Sequence, residues 1–506
     1  MRLPKNRYGF FGYGLVILVM LFSLYRANEQ SVTHDEALTY REWVLRDWNS
    51  IRAKFSSNNH TLHSLAVKAS TSLFDLSNMG LRLPAILGGL LYLIAAEGVC
   101  RLMFKRFTAY ALSLSALVAC PFVLDYMTVA RGYSMALGFF MMALWQSRRM
   151  LALHEREGIA WLKGHVLMSL FCALSVASNL SFAFANLGLL LAHFLATFEN
   201  AKEIASKGWW KRNWIGVVRL TIPGALLYLA INPGVFGYDK ETMFFGARSW
   251  SDSLQSIVDA VFNQEVRRYG GEWKGFADPS VRILPLCMGG VLLVGLMLGL
   301  VKRLRMKLAN GGALAERDGD WLYLGLTIGV TLGLHWLAFG GLGIWLPYER
   351  TGIFLYPLVL LWVAVSFERE DKGTAALVFR WAGRVVLGAL IFYFSTHLNF
   401  NHHRYWKYDA GTNRVFEKMV EAADQDDGYL PIGHSWEFEP VFNFYREVGG
   451  YETLQRFTRD PPSSEQSVFA FVHYSQEGMD LIDELALEVI YTDPVSGAIV
   501  AVKSGK

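Results

Sequence analysis

The chain has 506 residues, of which 53% are hydrophobic, 14% aromatic and only 18% charged, where a soluble protein of this size carries about a quarter charged residues. Its formal net charge of +4 is modest and set by loops, so it gives no reason to expect nucleic acid as a partner. Cys100, Cys120, Cys172 and Cys287 are scattered through apolar segments; without paired spacing they read as small buried hydrophobes, neither metal ligands nor a disulfide framework.

The apolar residues gather in windows of roughly 17–22, the length that spans a bilayer as helix. About eleven such helices are expected, near 9–25, 83–100, 107–124, 130–147, 165–180, 182–198, 214–231, 282–301, 321–340, 351–367 and 381–396. Arg2, Lys5 and Arg7 precede the first, and no small-residue cleavage site follows it. It reads as an uncleaved signal-anchor. With a cytoplasmic N-terminus, the basic clusters Arg101/Lys105/Arg106, Arg148/Arg149, Lys202/Lys207/Lys211/Arg212, Lys302/Arg303/Arg305/Lys307 and Arg369/Lys372 all fall on the cytoplasmic side. Residues 26–80, 232–280, 341–350 and the tail from about 397 then face outward.

Directly after the first span comes Thr33-His34-Asp35-Glu36-Ala37-Leu38-Thr39-Tyr40. Ala37, Tyr40, Val44, Trp48 and Ile51 recur at three- and four-residue intervals, the stripe of an amphipathic helix lying along the membrane surface. Thr33 with Glu36 fits a capping box. Asp35 has no equally good structural task beyond the favourable dipole of a helix start, so it reads as a catalytic carboxylate at the water–membrane boundary. A second surface helix opens near Ser56-Ser57-Asn58-Asn59-His60. In 232–280, Trp250 and Trp273 stand among Arg248, Arg267, Arg268 and Lys274, suited to a lid over a lipid headgroup or to a loop anchored at the interface. Residues 411–506 are polar, with a helical pattern from Arg414 to Ala423 and strand-like runs at Ser467–His473, Glu488–Tyr491 and Ala498–Val502. The expected fold class is therefore mainly α: a polytopic membrane unit over 1–396 with amphipathic helices on its outer face, and a small extracytoplasmic α/β domain over 397–506.

Several elements together resemble the GT-C superfamily of integral-membrane glycosyltransferases, which includes the protein O-mannosyltransferases and bacterial transferases that decorate lipid A. They are the acidic pair after the first helix (His34-Asp35-Glu36, then Tyr40), Asn58-Asn59-His60 in the first loop, Leu81-Arg82-Leu83-Pro84, Ala130-Arg131-Gly132-Tyr133, and Pro347-Tyr348-Glu349-Arg350 leading to Tyr356-Pro357. The resemblance covers roughly 1–400. It implies Asp35 and Glu36 as the catalytic pair, and a sugar donor carried on polyprenyl phosphate whose phosphate meets Arg131, Tyr133, Tyr348 and Arg350. The acceptor would be a glycolipid, glycan or protein, and the setting the bacterial inner membrane with its lipids. The family often has prolines after the loop histidine, whereas Thr61-Leu62-His63 follow here, so His60 and His63 both stand as candidates for that role.

The chemistry also follows from the residues. Attack of an acceptor hydroxyl on a sugar carbon needs a carboxylate that takes the proton as the bond forms. It also needs cations where charge develops on the leaving phosphate. Arg131 and Arg350 begin helices on the outer face, and an arginine fork can bind phosphate bidentately; snorkelling toward headgroups is the alternative for each. Arg82 reads as structural. Glu349 either shapes the acceptor side or pairs with Arg350, and Asp125 either pairs with Arg131 or joins Asp35 on a divalent metal. No cofactor is implied beyond that metal, since His60, His63, His397, His402 and His403 lack ligand spacing of the zinc-hydrolase kind. Asp424-Gln425-Asp426-Asp427 reads as a solvated helix end. A flippase or exporter of lipid-linked saccharides would place its ionisable groups near mid-membrane, whereas here they cluster at outer ends; a surface-polysaccharide ligase or polymerase would use the same donor class.

Overall fold

The computed structural model describes residues 6–152, 159–197, 207–237, 245–262, 316–368, 373–425, 428–473 and 475–503. Among these, six helices are long and apolar enough to cross a membrane: Arg7–Glu29, Asn78–Met103, Trp161–Ser178, Trp214–Ile231, Gly319–Leu342 and Ala376–Thr396. A seventh candidate is broken. Phe107–Ala119 and Pro121–Thr128 meet at 54°, where a straight span over 107–124 was expected. Pro121 has no N–H to give the preceding turn and forces Cys120 into an extended conformation, with φ −63° and ψ 115°. The expected helices at 130–147, 182–198 and 351–367 form as Tyr133–Leu151, Ala183–Thr197 and Leu355–Phe367. The span expected near 282–301 and the basic residues of 263–315 lie outside the described residues.

Small residues let the helices close up. A Cβ on Gly88 would meet the Met135 backbone nitrogen at 2.5 Å, and one on Gly138 would meet the Gly88 carbonyl at 2.3 Å. Helices Asn78–Met103 and Tyr133–Leu151 therefore touch backbone to backbone, the close approach that substitutes for hydrophobic drive inside lipid.

The first outer loop is not one amphipathic helix. It runs as His34–Thr39, a π-turn Tyr40–Val44, and then Trp48–Ala53 after a break. Asp47 makes the break, since its side chain accepts from Asn49 N and Ser50 N, both at 3.0 Å, and so starts a new helix. Ala37, Val44 and Ile51 are buried as the stripe requires, but the π-turn resets the register and leaves Trp48 47% exposed. The second outer helix is Thr61–Leu73.

The tail carries helix Thr412–Ala423 and the strands β1 (Asp424–Gln425), β2 (Gly428–Tyr429), β3 (Ile432–His434), β4 (Val468–Phe471), β5 (Leu487–Thr492) and β6 (Ile499–Lys503). The last four form one sheet in the order β3-β4-β6-β5, with β3 and β4 parallel and the rest antiparallel. Asp424-Gln425 pairs with β2 as a hairpin arm, where a solvated helix end was expected. The tail is seated on the first outer loop: Phe416, Phe442, Val468 and Val500 share one buried cluster with Val32, Ala37, Val44, Leu81 and Ala130. Just after residue 396, Tyr405 and Trp406 sink into the core formed by the long helices.

Candidate active site

Thr33 is extended, with φ −83° and ψ 156°, and caps the helix that follows. Its Oγ1 accepts from Glu36 N at 3.2 Å, while Glu36 Oε2 accepts from Thr33 N at 2.9 Å. Arg82 then donates from Nε and Nη2 to the two Glu36 oxygens, each at 2.8 Å, and Ala130 N donates to Glu36 Oε1 at 2.7 Å. Glu36 is fully buried and both its oxygens are committed. Its neighbour Asp35 points elsewhere: Arg350 Nη1 donates to Asp35 Oδ2 at 3.0 Å. The two side chains are 15% and 11% exposed, so the pair is reachable from outside yet mostly dry.

Around this pair lies a buried, electropositive nest. Arg131 donates to Thr39 Oγ1 at 2.7 Å and to Asn58 Oδ1 at 2.6 Å. Its turn fits tightly because a Cβ on Gly132 would meet the Ser178 carbonyl at 2.0 Å. The Tyr133 ring packs 5.3 Å from His60 and 4.8 Å from Tyr126. The Arg350 guanidinium lies over Phe245 at 4.7 Å and Tyr405 at 5.4 Å, and the Phe245 ring is 5.6 Å from Tyr348. Among the described residues, Arg131 Nε, Arg350 Nε, Tyr126 Oη and His60 Nε2 are buried without a hydrogen-bond partner, an arrangement that is costly unless something else satisfies it.

Charges in the nest are set by its burial. Burial works against the Arg350 cation, but Asp35 together with Tyr133, Tyr405 and Tyr126 outweighs this and its pKa is pushed up. His60 is driven well below the usual histidine range by burial, then by Arg131, His63 and Arg350. His63, buried with no partner on either ring nitrogen among the described residues, is pushed down to about 3 by burial and Arg131. Both imidazoles are neutral, so the arginines carry the positive charge of the nest.

Two pairings differ from those read in the sequence. Glu349 does not pair with Arg350: its backbone adopts φ +45°, its N donates to Ser256 Oγ at 3.0 Å, and its carboxylate accepts the Tyr405 hydroxyl at 2.5 Å. Asp125 does not pair with Arg131 but with Arg26 at 2.5 Å, and it accepts Arg404 N at 2.9 Å. Asp35 and Asp125 each face an arginine, and among the described residues no group of three His, Cys, Asp or Glu side chains is placed to hold a metal.

Asp409 escaped the sequence reading. It is buried, and its Oδ2 accepts His34 N at 2.8 Å, holding the first turn of the Asp35 helix from the tail. Burial pushes its carboxyl well up, against the His34 bond and with Asp35 and Glu36 adding to the effect. Nothing local marks it, because its partner is 375 positions away.

No protein-family model matches the chain, and no curated protein matches it. Solved structures do. ArnT from Cupriavidus metallidurans bound to undecaprenyl phosphate aligns over 99% of both chains at 14% identity, with a TM-score of 0.52. The chain has the GT-C fold. The same ArnT in its apo state aligns over 99% of this chain and 98% of its own at 12% identity, and an Archaeoglobus fulgidus oligosaccharyltransferase tethered to an acceptor peptide aligns over 98% and 74% at 13%; both give TM-scores of 0.40. The GT-C fold here draws Asp35, Arg131 and Arg350 together from widely separated segments. Thr39, Tyr126 and Tyr405 also line the GT-C nest but were not found from sequence, since lone hydroxyls in apolar surroundings carry no spacing signal.

Proposed function

We propose that this GT-C protein transfers a sugar from a polyprenyl-phosphate-linked donor to an acceptor hydroxyl at the outer face of the membrane. The observation that carries the reading is the nest itself: the Asp35 carboxylate bonded to Arg350, beside buried donors on Arg131, Arg350 and Tyr126 that lack partners among the described residues. A phosphate with several acceptor oxygens satisfies such donors, and planar guanidinium forks match its geometry. That the ArnT structure of the same fold holds undecaprenyl phosphate supports the donor class.

The steps follow from the side chains. The donor phosphate takes Arg350 and Arg131, which releases Asp35 from its ion pair. Asp35 then accepts the proton of the acceptor hydroxyl as oxygen attacks the anomeric carbon. The bond to phosphate oxygen breaks, and the developing charge on the leaving polyprenyl phosphate falls on fixed cations in a dry site, where they act most strongly. Glu36, with both oxygens bonded, positions Asp35 and takes no proton.

The test is lipid capture by the purified protein in detergent, read by native mass spectrometry with undecaprenyl phosphate. The wild type should retain the lipid; Arg131→Gln with Arg350→Gln should not. Equal retention by both would remove the donor site from this nest.

A further inference from the structure

The tail presents one large aromatic to solvent next to the proposed base. The turn Trp436–Phe438 follows β3, and its ends are pinned by Ser435, whose N donates to Ala470 O at 3.0 Å and whose Oγ accepts from Val472 N at 3.2 Å. Phe438 turns inward and stacks on Phe442 at 4.8 Å. Trp436 is left outside, 48% exposed. An indole so placed offers a flat apolar face with a polar N–H at its edge.

Its surroundings are polar and asymmetric. The His34 ring stands edge-on to Trp436 at 6.1 Å, and the Arg459 guanidinium lies 5.5 Å from the ring centre. Arg459 Nε bonds Glu439 at 3.3 Å, which fixes its stem. His34 Nδ1 faces the Glu437 carbonyl at 2.8 Å. Because a carbonyl only accepts, Nδ1 carries the proton and Nε2 keeps its lone pair. Glu437 is only 9% exposed, and its carboxyl has no hydrogen bond to another residue among those described; burial, with Glu477 adding to it, pushes its pKa up. The patch thus offers a flat apolar ring, an acceptor nitrogen, a carboxyl and a cation. His34 immediately precedes Asp35, whose charge reaches the imidazole.

We propose that Trp436, Glu437, His34 and Arg459 form an acceptor subsite that binds a saccharide, with the pyranose C–H face on the indole and its hydroxyls on the polar rim. Peptides and lipid phosphates are less well suited. A peptide would seek unpaired backbone groups, and a phosphate would avoid Glu437. A polyhydroxylated ring has one apolar face and an edge of groups that both donate and accept, which is the complement of what the patch presents. The inference rests on the transferase reading for the name "acceptor", but binding of a saccharide to the patch does not.

The experiment uses the full-length protein in detergent, labelled with 5-fluorotryptophan, with Trp436→Phe identifying the fluorine resonance of Trp436. Cellobiose, chitobiose, maltose and a lactosamine disaccharide are titrated in turn, with a serine-containing hexapeptide and glycerol phosphate as competitor classes. At least one disaccharide should shift the Trp436 resonance saturably. Glu437→Ala should then weaken that binding by about tenfold or more, the loss expected for a hydrogen bond to a charged or acidic group, while Glu437→Gln should recover part of it. A resonance that no disaccharide moves, or that only the peptide or glycerol phosphate moves, overturns the proposal. Undecaprenyl phosphate capture on the same preparation reports separately on the transferase reading, so either can fail alone.

Discussion

Arg82 holds both carboxylate oxygens of Glu36 at 2.8 Å where neither side chain has any access to solvent. Its remaining donors go to the carbonyls of Ala27, Gln30 and Ser31, so a single guanidinium ties the end of the first helix, the capping box and the start of the second long apolar helix, Asn78–Met103, into one unit. Breaking such a pair from one side leaves an uncompensated buried charge and costs about 3–5 kcal/mol. Arg82→Met should therefore lower the thermal midpoint in detergent strongly, and Arg82→Met with Glu36→Leu should lower it less than either single change. A single substitution that leaves the midpoint unmoved would show that the pair does not hold the loop.

How legible this was in the sequence depended on distance along the chain. The capping box is a three-residue relation, so Thr33 and Glu36 announce it, and with Glu36 assigned to that task Asp35 stands out. The tail helix at Thr412–Ala423 and the strands near 468, 488 and 499 follow from local periodicity and β-branched runs. Asp125 and Arg26 are 99 positions apart, and Arg350 and Asp35 are 315 apart. No local pattern selects one arginine over another at such separations, which is why the sequence offers Asp125 only the nearby Arg131, or a shared metal, as a partner. The break at Asp47 was readable as an N-cap, but the apolar stripe running through it masked the signal.

Arg350 is bonded to Asp35, and in the proposed reaction it turns from that carboxylate to the donor phosphate. Replacing Arg350 by Gln should weaken undecaprenyl phosphate binding by about tenfold or more, as expected for loss of charged hydrogen bonds. Arg350→Lys should recover only part of this, since an ammonium lacks the fork. Direct lipid titration followed by native mass spectrometry gives the comparison. A lysine variant equal to wild type would mean that point charge alone suffices.

Stability should fall on acidification because of buried neutral histidines. His63 has a folded pKa of about 3, against about 6.5 in the unfolded chain. Between these values the unfolded state binds a proton that the folded state refuses. The stability it permits is complete above the unfolded pKa and declines as pH drops below it, by about 1.4 kcal/mol per pH unit while the gap lasts. His60 acts in the same direction. Thermal midpoints of wild type should therefore decline steadily from pH 6.5 to pH 4, and His63→Leu should flatten that slope. An unchanged slope in the variant would place the acid sensitivity elsewhere.

The stereochemical outcome is the most exposed of these expectations. A double displacement needs a second carboxylate across the sugar, about 5 Å from the first in retaining glycosidases. Among the described residues four acids around the nest are engaged, Glu36 with Arg82, Asp125 with Arg26, Glu349 with Tyr405 and Asp409 with the His34 amide, while Glu437 belongs to the proposed acceptor patch. Phosphate needs no strong acid to leave when cations stabilise it, so a single displacement with Asp35 as base is sufficient. Asp35→Asn should lower turnover by at least about 10²-fold. Undecaprenyl phosphate affinity should stay equal or rise, because Arg350 no longer has an anion to leave. A β-linked phosphate donor should then yield an α-glycoside, read from the anomeric coupling constant of the product. Retained configuration, or a sugar ester trapped on the protein, would require a second nucleophile and would remove Asp35 from the role of sole base.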